Sequence, residues 1–148
     1  MTRFFGGDGF DTIAAGDGDD TVFGGNGRDA VFLGNGNDVF NDNGQGGELG
    51  RDTVFGGDGD DTIEGGNGAD TFVLNAVMSQ DVIEDYEVGT DTLSFADALR
   101  GGRTDAQFIA DFASVVGRNV VFEFAVGQSV TLNGVSSTSG LANDLDFF

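Results

Sequence analysis

A nine-residue phrase recurs seven times between Gly6 and Val73, and it constrains the fold more than any other feature of the sequence. Its consensus is G-G-x-G-x-D-x-U-x, where U is a large apolar residue. Each copy begins with six residues that favour a tight turn and ends with three of strand character. A single copy cannot bury its apolar face alone, so the copies must stack into a solenoid. The copies are GGDGFDTIA (6–14), AGDGDDTVF (15–23), GGNGRDAVF (24–32), LGNGNDVFN (33–41), GELGRDTVF (47–55), GGDGDDTIE (56–64) and GGNGADTFV (65–73).

The alternation of loops and strands predicts which residues share an edge. Two loops and two strands form one coil turn, so repeats n and n+2 lie on the same edge. The middle residue of each short strand is expected to point inward; these residues are Ile13, Val22, Val31, Phe40, Val54, Ile63 and Phe72. The sixth-position aspartates form two columns, Asp11, Asp29, Asp52 and Asp70 in the odd repeats and Asp20, Asp38 and Asp61 in the even repeats.

The turn half of the repeat has the composition of a hard-cation site. Glycines at the first, second and fourth positions permit positive φ and close backbone approach, and such a turn points carbonyl oxygens inward. The fourth-position glycines are Gly9, Gly18, Gly27, Gly36, Gly59 and Gly68. Third-position side chains add turn-forming oxygen at Asp8, Asp17, Asn26, Asn35, Asp58 and Asn67. Carbonyl and carboxylate oxygens in a flexible loop favour Ca²⁺ over Mg²⁺.

Electrostatics explains why such a stack needs the ion. Carboxylates on adjacent rungs, roughly 5 Å apart, repel by about 3 kcal/mol at an effective dielectric constant near 20. Several such pairs would cancel the stability of a small domain, which is about 5–15 kcal/mol. Bridging calcium turns this repulsion into attraction, so we expect binding and folding to be one event.

Composition narrows the function classes. The 148 residues carry 26 acidic side chains against six basic ones, a net charge of −20, which repels nucleic acid and anionic membranes. Without cysteine or histidine, the chain has no disulfide, no thiolate site and no usual zinc ligand or general base. Disorder and halophilic solubility are the plainer interpretations of such charge; the strict repeat and 15 phenylalanines argue against disorder. No stretch is long and apolar enough to span a bilayer.

The first residues extend the repeat rather than form a signal peptide. Met1 to Phe5 lack an apolar core before a cleavage site. Counting backward from Gly6 places Phe4 at the U position, so these residues match the tail of an eighth repeat. We therefore expect the chain to be the C-terminal piece of a longer protein.

The phrase resembles the repeats-in-toxin (RTX) family, secreted by bacterial type I systems. The resemblance implies an all-β fold, a right-handed parallel β-roll in which sixth-position aspartates and loop carbonyls hold Ca²⁺ between same-edge loops. Residues 81–95, DVIEDYEVGTDTLSF, are similar to the segment that closes the family's rolls. Asp81 and Asp91 are therefore expected to end the two aspartate columns, the alternative being ordinary solvated surface.

One departure from the repeat lies between its fourth and fifth copies. Five extra residues, Asp42 to Gly46, precede a loop that reads Gly47-Glu48-Leu49-Gly50. The sites that link Asp29 with Asp52 and Asp52 with Asp70 share this loop. Either the insertion bulges outward as a turn, or Asp42 supplies a substitute oxygen.

From Leu74 the period is lost, and we predict two regions, a repeat roll (1–73) and a C-terminal capping and secretion-signal region (74–148). Thr104 to Gln107 has the form of a capping box, and the apolar spacing predicts a helix that ends at Gly117. Strands are predicted around 120–124 and 129–133, paired as a hairpin across 125–128. The acidic and aromatic terminus, 144–148, is similar to the ends of type I secretion substrates; simple packing of a final strand is the alternative.

Two functions follow from these features. The first is a non-catalytic module that folds on binding extracellular calcium, supports type I secretion and stabilises the N-terminal domain of a larger secreted protein. The second is an accessory module for an anionic polysaccharide, similar to the R-modules of alginate epimerases, in which Arg28 and Arg51 contact sugar carboxylates. The plainer interpretation of these arginines is charge balance beside the aspartates. No catalytic residues are predicted, because the sequence lacks histidine, cysteine, G-x-S-x-G and a dinucleotide fingerprint.

Overall fold

Two parallel sheets with an apolar core between them form the repeat region. A computed structural model of the chain describes residues 1–42, 50–76 and 79–148. Its strands are β1 (Arg3–Gly9), β2 (Thr12–Asp17), β3 (Thr21–Gly27), β4 (Ala30–Asn35), β5 (Val39–Asn41), β6 (Thr53–Asp58), β7 (Thr62–Glu64), β8 (Thr71–Leu74), β9 (Gln80–Ile83), β10 (Thr92–Phe95), β11 (Ala113–Val116), β12 (Asn119–Ala125), β13 (Gln128–Leu132) and β14 (Leu145–Phe147).

Strands β1 to β10 alternate between the two sheets, as the repeat predicts. One sheet runs β1-β3-β5-β7-β9-β13-β12-β11, and the other runs β14-β10-β8-β6-β4-β2. Ile13 pairs with Val31, and Val31 with Val54, so the register survives the five-residue insertion. The fold is therefore a parallel β-roll, in which repeats n and n+2 are hydrogen-bonded neighbours.

The inward positions predicted from the sequence are confirmed. Six of the seven U residues are fully buried, and Ile13, on the first rung, is 8% exposed. Phe4 pairs with Val22 and thus occupies the U position assigned to it. Because identical positions stack, the outward rings of Phe32 and Phe55 also lie parallel, with centroids 4.4 Å apart.

Both sheets continue beyond the repeats, at first with parallel strands. Strand β8 pairs with β10 and β10 with β14, both in parallel. In the other sheet β13 joins β9 in parallel, and the antiparallel strands β12 and β11 complete it. The hairpin of β12 and β13 was predicted. The C-terminal segment thus forms the last strand of one sheet.

The helices are short and lie in the second half. They are α1 (Asp97–Arg100), α2 (Asp105–Phe112) and a 3-10 turn (Leu141–Asn143). The predicted capping box is present, since the Thr104 hydroxyl accepts from Gln107 N while the Gln107 amide oxygen accepts from Thr104 N. Within the described ranges, no helix is long and apolar enough to cross a membrane.

The predicted end of this helix was wrong. Helix α2 stops at Phe112, and the residues that follow form strand β11, where Val115 and Val116 are exposed. Val115 pairs with Val120 of β12. The β-branched pair favours a strand, and its pairing with β12 overrides the helical spacing.

An aromatic cluster closes the core at the C-terminal end. Phe108 is fully buried, and its ring centroid lies 5.2 Å from that of Phe95 and 5.1 Å from that of Phe147. It therefore joins α2 to β10 and to the final strand.

Replacing Phe108 by alanine should lower the free energy of unfolding by about 3–5 kcal/mol, because it leaves a large cavity in this cluster. Urea unfolding in saturating calcium measures the loss. Phe148→Ala is the matched control, since this ring is 57% exposed. Equal losses in the two variants would contradict the role given to Phe108.

Candidate calcium site

The sixth-position aspartates form two hydrogen-bonded ladders along the roll. In each ladder the main-chain N–H of one aspartate donates to Oδ1 of the aspartate on the next rung. The odd ladder comprises Asp11 to Asp29 (2.9 Å), Asp29 to Asp52 (2.7 Å), Asp52 to Asp70 (2.8 Å) and Asp70 to Asp91 (3.0 Å). The even ladder comprises Asp20 to Asp38 (2.7 Å), Asp38 to Asp61 (2.9 Å) and Asp61 to Asp81 (3.2 Å). Asp81 and Asp91 thus follow the last repeat aspartates, and both are buried rather than solvated.

In several ladder residues the second carboxylate oxygen has no hydrogen-bond donor among the described residues. Five Oδ2 atoms are buried and have no hydrogen-bond partner: those of Asp11, Asp29, Asp38, Asp52 and Asp61. The oxygen points at the first residue of its own loop, since a Cβ added at Gly24 would lie 3.0 Å from Asp29 Oδ2, and one at Gly56 would lie 3.0 Å from Asp61 Oδ2. Buried oxygens without donors in a cradle with no room for a side chain fit a cation.

Main-chain carbonyls of neighbouring rungs face the same loops. The fourth-position glycines Gly9, Gly18, Gly27, Gly36, Gly59 and Gly68 all have positive φ. At Gly27, with φ +131°, an added Cβ would overlap the Gly9 carbonyl oxygen. Only glycine therefore lets the loops stack with their carbonyls this close.

The third-position side chains lie elsewhere. The Asn26 amide donates to the Asp8 carboxylate, and the Asn35 amide donates to Asp17, each at 2.8 Å. Asp58 and Asn67 are exposed. The structure therefore places these residues in surface rows outside the buried ladders.

Burial makes the ladder carboxylates weak acids when no ion is present. Burial raises the pKa of Asp61 and of Asp70 to about 7, although hydrogen bonds from the preceding rung lower it and neighbouring aspartates raise it again. Burial likewise raises the pKa of Asp81 to about 6. It also raises the pKa of Asp29 and Asp38. Each buried charge thus disfavours the ion-free folded state at neutral pH.

Several carboxylates that the repeat pattern did not identify also belong to these loops. Asp85 accepts from Gly65 N at 2.9 Å and from Gly66 N at 2.7 Å. The fifth-position residues Asp19, Asn37 and Asp60 form a further exposed ladder to main-chain N–H groups. A count of the residues that recur at the fifth position of even repeats could have found this ladder.

The insertion between repeats four and five is described only at its first residue. Asp42 is buried, and its Oδ1 accepts from Gly25 N at 2.9 Å. The predictions for Asn43 to Gly46, and for Glu48 and Leu49, lie outside the described residues.

Arg28 and Arg51 are exposed and occupy adjacent rungs of the odd edge, since Ala30 pairs with Thr53. The ion pairs among the described residues involve Arg100, Arg103 and the N-terminus, and none involves Arg28 or Arg51.

All the candidate ligands are oxygen atoms, and some of them are main-chain carbonyl oxygens. In the part of the chain that the structure describes, no group of three acidic side chains could hold a metal ion by itself. Carbonyl oxygens must complete any site here, which is the mixture that calcium accepts.

Comparisons with known proteins agree with this geometry. A family model described as the RTX calcium-binding nonapeptide repeat matches residues 5–40 and 46–76, in four copies. No curated protein sequence matches the chain significantly.

Among solved structures, the extracellular lipase LipA from Serratia marcescens is similar in fold, with a TM-score of 0.51, 18% identity and 97% of this chain covered. The chain spans 39% of that lipase. The AlgE6R3 subunit of the mannuronan C5-epimerase from Azotobacter vinelandii matches with a TM-score of 0.44 and 22% identity, covering 95% of this chain and 79% of that one.

The register of the ladders, the oxygen-lined loops and the family match converge on one assignment. Residues 5–40 and 46–76 of this chain are RTX calcium-binding nonapeptide repeats.

Proposed function

We propose that the chain is a non-catalytic module that folds when it binds several calcium ions outside the cell. The observation that carries this proposal is the set of buried aspartate oxygens without hydrogen-bond donors. The ligands are the seven sixth-position aspartates with Asp81 and Asp91, together with carbonyls of the glycine loops. Chelation by stacked loops explains why the repeat keeps an aspartate at each sixth position.

The ion-free roll is electrostatically costly. Each ladder places acidic side chains on consecutive rungs, and five of the described carboxylates have a buried oxygen without a hydrogen-bond donor. A buried charge without a compensating partner costs several kcal/mol. Calcium supplies the opposite charge, and its binding free energy becomes folding free energy.

This coupling supports a role in bacterial secretion. Extracellular calcium modules bind at about 10⁻⁴–10⁻³ M, so the chain would stay unfolded in the cytosol and fold after export. An unfolded chain presents its C-terminal segment, which in the folded state lies in β14 against β10. We propose that type I secretion machinery recognises this segment, that residues 74–148 cap the roll, and that the folded module stabilises an N-terminal domain of its parent protein.

Circular dichroism in the far ultraviolet tests the folding step. In calcium-free buffer at neutral pH the chain should lack the strand signal, and calcium at about 10⁻³ M should restore it. Magnesium at the same concentration is the control and should not restore it, because it requires tighter octahedral geometry. A full strand signal without calcium would refute the proposal.

The alternative, binding of an anionic polysaccharide, has one supporting observation. Arg28 and Arg51 are exposed, and no ion pair among the described residues involves them. Each of these arginines precedes a buried aspartate of the odd ladder, and the chain as a whole carries a charge of −20. Two cations in such a field attract a polyanion weakly. We therefore favour the calcium module.

A further inference from the structure

Asp42 occupies a place in the roll where other repeats begin their loops. It follows Asn41, the last residue of the fourth repeat, and by count it takes the first position of the next nonapeptide. Asn41 pairs with Phe23, so Asp42 lies beside Gly24, the first residue of the third repeat. The insertion therefore puts a carboxylate on the odd edge where the repeat consensus has glycine.

The Asp42 side chain points into the roll. Only 7% of the residue is exposed, and Oδ1 accepts from Gly25 N at 2.9 Å. A Cβ added at Gly66, on the other side, would lie 3.3 Å from Asp42 Oδ2. The carboxylate thus lies between the loops of repeats three and seven.

An independent observation indicates that this place suits a cation. Asp29 is 2% exposed, and its Oδ2 has no hydrogen-bond partner. A Cβ built on Gly24 would lie 3.0 Å from Asp29 Oδ2 and would overlap Asp42 Oδ1. Two carboxylates from different repeats are therefore aimed at one small space above Gly24.

The Asp42 carboxyl group also shares a side-chain hydrogen bond with Asp52 and lies close to Asp29, so it adds a third acidic group to this buried column. An asparagine at this position would accept from Gly25 N equally well, without adding a negative charge beside Asp29 and Asp52. Burying another carboxylate in that column is unfavourable unless a cation compensates it.

We propose that Asp42 is an additional calcium ligand, which joins Asp29 at the loop of repeat three and compensates for the altered loop of repeat five. This inference rests on the proposed function, because it assigns a ligand within the same calcium-binding roll. Calcium affinity depends on the number of charged ligands, so loss of Asp42 should weaken one site rather than all of them.

Calorimetric titration of the full chain with CaCl₂ tests the assignment with three variants. Asp42→Asn keeps the acceptor for Gly25 N but removes the charge, and Asp42→Gly restores the repeat consensus. Asp146→Asn is the matched control, an exposed aspartate in β14. We expect both Asp42 variants to lose about tenfold or more in affinity at one site, as ligand-shell changes do, and the control to titrate like the native chain.

Each other outcome is decisive. Native calcium affinity in Asp42→Asn overturns the inference. Native affinity in Asp42→Gly also overturns it, because the site would then bind calcium equally well without a side chain at this position. Failure of both variants to fold in saturating calcium also overturns it, because one ligand among several sites cannot be essential at saturation. If the native chain itself gives no heat with calcium, the proposed function fails first, and the two failures are therefore distinguishable.

Discussion

Replacing Gly34 by alanine should prevent the β-roll from folding, or raise the calcium concentration needed for folding by a large factor. Gly34 has φ +107°, and a Cβ there would overlap the Gly16 carbonyl oxygen and lie 2.9 Å from the Gly16 carbonyl carbon. Both atoms belong to the backbone of the neighbouring rung, so neither can move without breaking the ladder. We expect a loss of several kcal/mol, a large share of the roughly 5–15 kcal/mol that stabilises a domain.

Gly16 provides the matched control for this prediction. It occupies the same repeat position two repeats earlier, with φ +98°, but an added Cβ would meet no atom within 4 Å. Gly16→Ala therefore tests the backbone strain alone, which costs about 1–2 kcal/mol. Calcium titrations followed by circular dichroism compare the two variants, and equal midpoints would show that close stacking of the loops is not what requires glycine.

The repeat period predicted most of the architecture because the period itself sets the geometry. Once nine residues form half a coil turn, the partner of Val31 must be Val54 after the five-residue insertion, and the pairing is the one observed. The same count identifies Phe72 as inward-facing and Asp70 as a ladder member. These predictions needed no information about distant contacts.

The errors arose where the period ends or is interrupted. At the insertion the sequence left two alternatives open for Asp42, because the copies were aligned on Gly47 rather than counted through from Leu33. Phe112, Val115 and Val116 have helical spacing, but Val115 and Val116 are β-branched residues that also suit a strand. The pairing of β11 with β12 decides for the strand. Tertiary pairing of this kind is not visible in local sequence.

Hydrogen bonds link the end of the odd aspartate ladder to the C-terminal strand. Asp91, which closes the odd ladder, accepts from Glu87 N at 2.8 Å, and Asp144, just before the final strand, accepts from Gly89 N at 2.9 Å. The loop at 87–89 thus donates hydrogen bonds both to the end of the odd ladder and to the residue before the C-terminal strand. We therefore expect that calcium binding to the odd ladder also orders the C-terminal segment that we propose the secretion machinery recognises.

Acidification should stabilise the calcium-free chain and destabilise the calcium-loaded one. Without the ion, the folded-state pKa of Asp61 and Asp70 is about 7 and that of Asp81 about 6, against about 3.9 in an unfolded chain. The folded state then binds more protons, so its stability falls as pH rises from about 4 to about 7. A carboxyl with its pKa moved from 3.8 to about 7 corresponds to about 4 kcal/mol at neutral pH.

Calcium reverses the sign of this dependence. The ion binds the deprotonated carboxylates, so protons compete with it and stability in calcium rises with pH over the same range. In calcium-stripped buffer, far-ultraviolet circular dichroism across the range measures how the folded fraction changes with pH; in calcium-saturated buffer, urea unfolding at both ends of the range measures the free energy of unfolding. Asp61→Asn should reduce the slope of the calcium-free chain, whereas Asp146→Asn, on the exposed face of β14, should leave it unchanged. Slopes of the same sign in both buffers would show that the buried ladders are not where the ion binds.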